Sequence, residues 1–352
     1  MKSFQLELPA IHTRFGPGCT DGLRDEIQRS GGKALVVCTE GGAKRYKPMI
    51  AALEEQCVAV FDKALPHCPV DTAMDALKSF ILSEASCIVA IGGGSTLGLG
   101  KFVAAQTGRP WFAIPTTFSG SEMTSLYGIK IDNEKRTRRS TACRAHIVFY
   151  DAVLAASLPK HETVTTGMNC LAHCVEALYS PNINPLAVNM SLEGVSILSS
   201  TLPCCVETPT DIDARQKALY AGLIGGLLVE MVGIGMHHKI CHVIGGHHDI
   251  AHADTNSAVL PHVIAFNQRA LGNTGLALAN AFDVSDAAAG AYALAKRLDA
   301  PVSLRDLGVS HDELPALATE SMRHIQHNPR PFTQGDLLGL LERAWHGEPP
   351  EN

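Results

Sequence analysis

Six histidines fall within Met236–Ala253, MHHKICHVIGGHHDIAHA, and upstream of them the chain reads Asn169-Cys-Leu-Ala-His173. Imidazole is the side chain that most readily binds a metal or moves a proton near neutral pH. Asn169 and His173 stand four residues apart, and so do His238 and His242. In helix-compatible sequence, each pair projects two polar groups from one helix face. His252 lies beyond the Gly245-Gly246 break and can return to the same pocket from a second segment. Three histidines with an acid form a common metal set. Here the acid's place is taken by Asn169, and a neutral amide is a poor ligand for a divalent ion. The pattern keeps the outline of a metal site while weakening its hold on metal.

The elements that must carry these groups divide the chain in two. Over the first half, Ala34–Thr39, Val58–Phe61, Cys87–Ile91, Trp111–Ile114 and Ile147–Tyr150 read as strands, with helical periodicity over Gly22–Ser30, Met49–Gln56 and Val70–Ser83. Continuous apolar strands separated by helices indicate a parallel sheet covered on both faces. From Pro159 the strand signals stop. Leu186–Ser199, Ile212–Val232, His237–Ile244, Ser257–Gly272, Ala287–Leu298, His311–Met322 and Thr333–Trp345 then read as helices. The expected organisation is an α/β nucleotide-binding domain over residues 1–158 and an all-α domain over 159–352, which holds the histidines.

Composition narrows the function classes. With 46% hydrophobic and 18% charged residues the chain has the core of an ordinary globular protein, and a net charge of −6 gives no reason to expect nucleic acid or an anionic membrane as partner. The apolar run Leu219–Met236 is broken by glycines and Glu230, so it reads as a buried helix rather than a span. Eleven cysteines without a CxxC pair, behind an N-terminus without a signal-like apolar core, point to reduced thiols in a cytoplasm.

Two loops leave neighbouring strands. Gly92-Gly93-Gly94-Ser95-Thr96 follows Cys87–Ile91 and opens a helix. Its glycines let backbone amides approach a ligand, and the helix start favours a pyrophosphate. Ser95 and Thr96 are candidates to cap that helix and to donate hydroxyls to phosphate. The loop is neither GxGxxG nor a Walker A sequence, so a ligand-free turn is its bland alternative. The second loop, Pro115–Glu122, offers Thr116, Thr117 and Ser119, and two such loops at adjacent strand ends suit a ligand crevice.

GGGST at 92–96, PTTFSGSE at 115–122, the Asn169/His173 pair, His238-xxx-His242, His252 and LPHVIAFN at 260–267 occur in this chain in the order found in the iron-containing alcohol dehydrogenase superfamily. The chain resembles that superfamily over nearly its whole length, and within it the maleylacetate reductase branch, to which GMHHKICHVIGG and NPRPFTQGDL (328–337) are similar. The resemblance implies a Rossmann-like domain, a helical catalytic domain of dehydroquinate synthase-like architecture, and NADH or NADPH in the cleft between them. It also implies reduction of the conjugated C=C of maleylacetate to 3-oxoadipate in aromatic-compound catabolism, by a homodimer. The family's metal ligands map onto Asn169, His173, His238 and His252. Two departures, Asn169 for an aspartate and Gly98 for a second one, remove negative charge that would repel a dianionic substrate, and make a required divalent metal unexpected. A metal-dependent alcohol or aldehyde oxidoreductase of the same superfamily is the alternative.

On that reading His173, His238, His242 and His252 surround the ketone, and His242 or His238 delivers the proton. Lys239 and His237 are candidate carboxylate anchors, with Arg138, Arg139 and Arg144 weaker ones. Glu176, one turn beyond His173, is equally a structural acceptor or a functional group. Thr39 takes the place where related dehydrogenases often carry an aspartate against the 2′-phosphate of NADP, although Glu40 follows it. His247 and His248 read as loop or cap residues, and His262 as packing beneath the pocket. The other eight histidines read as surface residues.

Overall fold

The computed structural model describes residues 3, 4, 6, 8, 10–132, 134–247, 250 and 252–351, with backbone alone at 134, 135, 252 and 253. The chain forms two compact units, one of Pro9–Leu158 with Pro209–Gly226, the other of Met1–Leu8, Pro159–Thr208 and Leu227–Asn352. A single cut at 158/159 does not include the return of 209–226 to the first unit.

The first unit is built on strands β1 (His12–Phe15), β2 (Ala34–Val37), β3 (Cys57–Phe61), β4 (Cys87–Gly92), β5 (Trp111–Pro115) and β8 (Ile147–Tyr150), with an antiparallel hairpin of β6 (Leu126–Ile131) and β7 (Glu134–Arg139) apart from the sheet. The six-stranded sheet has the order β1-β8-β5-β4-β2-β3, and every pairing in it is parallel. Inner strands β2, β4, β5 and β8 are buried along their whole length. Val36, Val89, Ile91, Phe112, Ile114 and Phe149 share one core with Leu23 and Ile27 from a covering helix. The parallel, doubly covered sheet is the one the apolar runs predict. The register sets Gly92 beside Pro115, so the two loops leave adjacent strands at the same end of the sheet.

The second unit is helical, with no strand among its described residues. Three of its helices build the histidine site. Lys160–Ala177 presents Asn169, His173 and Glu176, Met236–His247 presents His237, His238 and His242, and His252–Leu271 presents Asn256. No single helix among the described residues is long and apolar enough to cross a membrane.

Candidate active site

In the first unit the glycine loop ends β4 and passes into the helix Gly94–Thr107. Gly92 has φ +151°, and a Cβ on Gly93 would come within 2.7 Å of Thr117 Cγ2, so a side chain at Gly93 would fill the space between the two loops. The helix carries no side-chain cap, since Gly93 is the N-cap and Ser95 and Thr96 lie inside the first turn. The expected capping by Ser95 and Thr96 is therefore wrong. The first helical hydrogen bond is Leu97 N to Gly93 O at 3.0 Å, and no intrachain acceptor takes the amides of Gly94, Ser95 and Thr96 among the described residues. Three open amides at a helix start suit a pyrophosphate, so the loop fits a dinucleotide. Thr96, Thr116 and Thr117 are buried, whereas Gly94 is exposed and Ser95 and Ser119 are half-buried. Gly94 and Ser95 rather than Thr96 thus reach the surface. Thr39 caps the next helix by accepting from Gly42 N at 3.0 Å, and exposed Glu40 pairs with Lys44 at 2.7 Å.

In the second unit His238 is the hub. Its Nδ1 donates to Glu176 Oε2 at 2.5 Å, and its Nε2 lies 3.2 Å from Asn169 Oδ1. Its backbone amide donates to Glu176 Oε1 at 3.1 Å, which also accepts from the Tyr179 hydroxyl at 3.2 Å. His173 stacks on the His238 ring with centroids 4.6 Å apart, and His242 stands edge-on at 6.1 Å. Asn256 donates from Nδ2 to Asn169 Oδ1 at 2.6 Å, and its carbonyl accepts from His237 Nε2 at 3.0 Å. The order of exposure runs outward. Glu176, His237, His238 and Asn256 are buried, Asn169 and His173 are half-buried, and His242 is exposed.

The electrostatics follow. Burial pushes the Glu176 carboxyl up, but His238, its hydrogen bonds and His237 bring it down to about 2, so it stands as a carboxylate. Burial and then His238 lower His237 to about 4 and hold His173 well below its ordinary value, so both rings are neutral. Burial pushes the Cys241 thiol up, which leaves it protonated beside His237.

The structure thus brings together Asn169, His173, His238 and His242, while the His252 side chain and all of His248 lie outside the described residues. It does not support His237 as a carboxylate anchor, because the ring is buried with Nε2 committed to Asn256. Lys239 is half-buried with no side-chain partner among the described residues. His247 is exposed and bonds Glu320 at 2.6 Å, and His262 is buried. Glu176 is placed as the positioning partner of His238, a role that its seven-residue spacing from Asn169 allows on one helix face. Tyr179 and Asn256 carry no local sequence signal for theirs.

The family description "Iron-containing alcohol dehydrogenase" matches residues 10–152, and "Fe-containing alcohol dehydrogenase family, C-terminal" matches 163–345. The chain belongs to the iron-containing alcohol dehydrogenase family. It is 38% identical over 352 residues to a maleylacetate reductase of a Rhizobium species, covering 100% of both chains. It is 37% identical to one of Pseudomonas aeruginosa over 96% of each chain. The crystal structure of maleylacetate reductase from Agrobacterium tumefaciens superposes with TM-score 0.94 at 36% identity, over 99% of this chain and 100% of that one.

The family name implies a metal, and the residues test it. At the family's ligand positions, Asn169 brings no charge and its oxygen already accepts from Asn256, so Asn169 does not fit a divalent ion. A neighbouring group points the other way. Glu176, His237 and His238 form a buried cluster whose ligand atoms lie within 4.8 Å of one another, a donor set that a metal can use. In this structure hydrogen bonds close it, with the Glu176–His238 pair at 2.5 Å, shorter than the edge of a metal's coordination shell.

Proposed function

We infer that this protein is a maleylacetate reductase, reducing the conjugated C=C of maleylacetate to 3-oxoadipate with NADH or NADPH, in aromatic-compound catabolism. The observation that carries the reading is Asn169, whose amide oxygen faces His238 where a metal-dependent relative would need an anionic ligand. A ketone oxygen polarised by N–H donors rather than by an ion suits a conjugated alkene, in which the oxygen takes up enolate charge as the distant carbon gains hydride. The loop amides of Gly94 and Ser95 would hold the cofactor pyrophosphate. A reduced nicotinamide, when bound, would supply the hydride for the alkene carbon β to the ketone. His238, set by Glu176, and His173 hold the ketone end, and His242 delivers the proton to the adjacent carbon. Hydride plus proton add the two hydrogens that separate 3-oxoadipate from maleylacetate. No step needs a divalent metal. Glu40 is neutralised by Lys44, so the end of β2 carries no bare charge against a 2′-phosphate, and both cofactors suit the reading.

The buried Glu176–His237–His238 cluster favours a second reading, a metal-dependent alcohol or aldehyde oxidoreductase. Product analysis separates the two. Reduction of the alkene and of the ketone give isomers of equal mass, so proton NMR of the product is the test. Signals of 3-oxoadipate support the first reading, and a secondary-alcohol proton with the alkene retained rejects it.

A further inference from the structure

The Asn169 amide oxygen is engaged from two sides. It accepts from Asn256 Nδ2 at 2.6 Å and faces His238 Nε2 at 3.2 Å. His238 Nδ1 is held by Glu176 at 2.5 Å, so that nitrogen is turned away from Asn169. Asn256 is 1% exposed and comes from a different helix, and its own Oδ1 has no partner. An orphaned buried oxygen is costly, so the amide is turned toward Asn169 at the expense of its own satisfaction. The same residue fixes the neighbouring ring, since its carbonyl accepts from His237 Nε2 at 3.0 Å.

We propose that Asn256 is a positioning residue that forms, with Asn169, an amide latch on His238, occupying the lone pair through which Asn169 would otherwise meet a metal and fixing the His238 ring for its work on substrate. The proposal rests on the metal-free reading of this site and deepens it. Loss of charge at Asn169 alone weakens a metal site, whereas the latch also closes it. The latch acts through Asn169 and touches no reacting atom.

The test uses the full-length protein and Co²⁺ as the probe, read by its visible absorption, beside steady-state kinetics. Asn256→Leu keeps the volume and removes the donor, and Asn256→Ala is the second variant should the first misfold by circular dichroism. A lost hydrogen bond of ordinary strength corresponds to about fivefold to tenfold. Co²⁺ should therefore bind about that much tighter in either variant than in wild type, with the gain abolished by His238→Ala. kcat with maleylacetate should fall by a similar factor while KM for NADH stays put, a split that loosened packing alone would not give. Equal Co²⁺ affinity in wild type and variants, a gain that survives His238→Ala, or an unchanged kcat overturns the latch. If wild type does not turn over maleylacetate at all, the functional reading fails, and the Co²⁺ comparison still decides the latch.

Discussion

His238 has Nδ1 held by Glu176 and Nε2 facing Asn169, while His242 lies exposed on the same face of its helix. On the proposed reading the division of labour is a held ring beneath and an exposed proton donor above. His242→Ala should lower kcat with maleylacetate on the order of 10²–10⁴-fold, with KM for NADH kept, as stopped-flow and steady-state assays would record. A variant with nearly full kcat would move the donor elsewhere. Glu176→Gln keeps shape but removes the charge from a charge-assisted bond worth about 1.5–3 kcal/mol. It should cost about one to two decades in kcat, and an unchanged rate with a lowered melting temperature would make Glu176 purely structural. Much of this site is legible in the chain, because Asn169/His173 and His238/His242 sit one helical turn apart. Asn256 is not, since its partner is reached only when two helices pack.

The glycine loop works as an element. Its cradle depends on Gly93, where a Cβ would lie 2.7 Å from Thr117 Cγ2. Gly93→Ala should therefore weaken NADH binding about tenfold or more, equivalent to at least about 1.4 kcal/mol, in a fluorescence titration. Unchanged NADH affinity would argue that the cofactor does not use this loop. Strands β2, β4, β5 and β8 are legible because parallel strands buried on both faces read as apolar runs. Strand β1 and the β6–β7 hairpin are not. His12–Phe15 lies mostly exposed at a sheet edge, and β7 reads EKRTRR, so burial imposes no apolar pattern on either. Ser and Thr beside glycines suggest a side-chain cap at this helix start, while here the glycine itself takes the N-cap and frees the amides for a ligand.

Across the whole molecule, buried neutral histidines tie stability to pH. Burial holds His237 and His262 near 4 and His173 well below its usual range, against an ordinary 6.5. The unfolded chain therefore binds more protons than the folded one between about pH 6.5 and 4, so the stabilisation present at neutral pH is lost as pH falls through that window. Glu176, held at about 2 against 4.5, continues the loss from about pH 4.5 downward. Melting temperature should fall steadily below pH 6.5 in scanning calorimetry. Both ring nitrogens of His262 are buried without a partner, so His262→Leu should flatten that slope and leave neutral-pH stability nearly unchanged. A steeper slope would show that the ring is satisfied in solution. The central claim concerns the reaction itself, conjugated-alkene reduction without a metal. Its most direct measurement is NADH oxidation with maleylacetate by enzyme dialysed exhaustively against chelator, with metal content read by mass spectrometry. The account predicts full turnover with well under one metal ion per chain, and no NAD reduction with simple alcohols. Dead chelated enzyme that zinc or iron revives would contradict it.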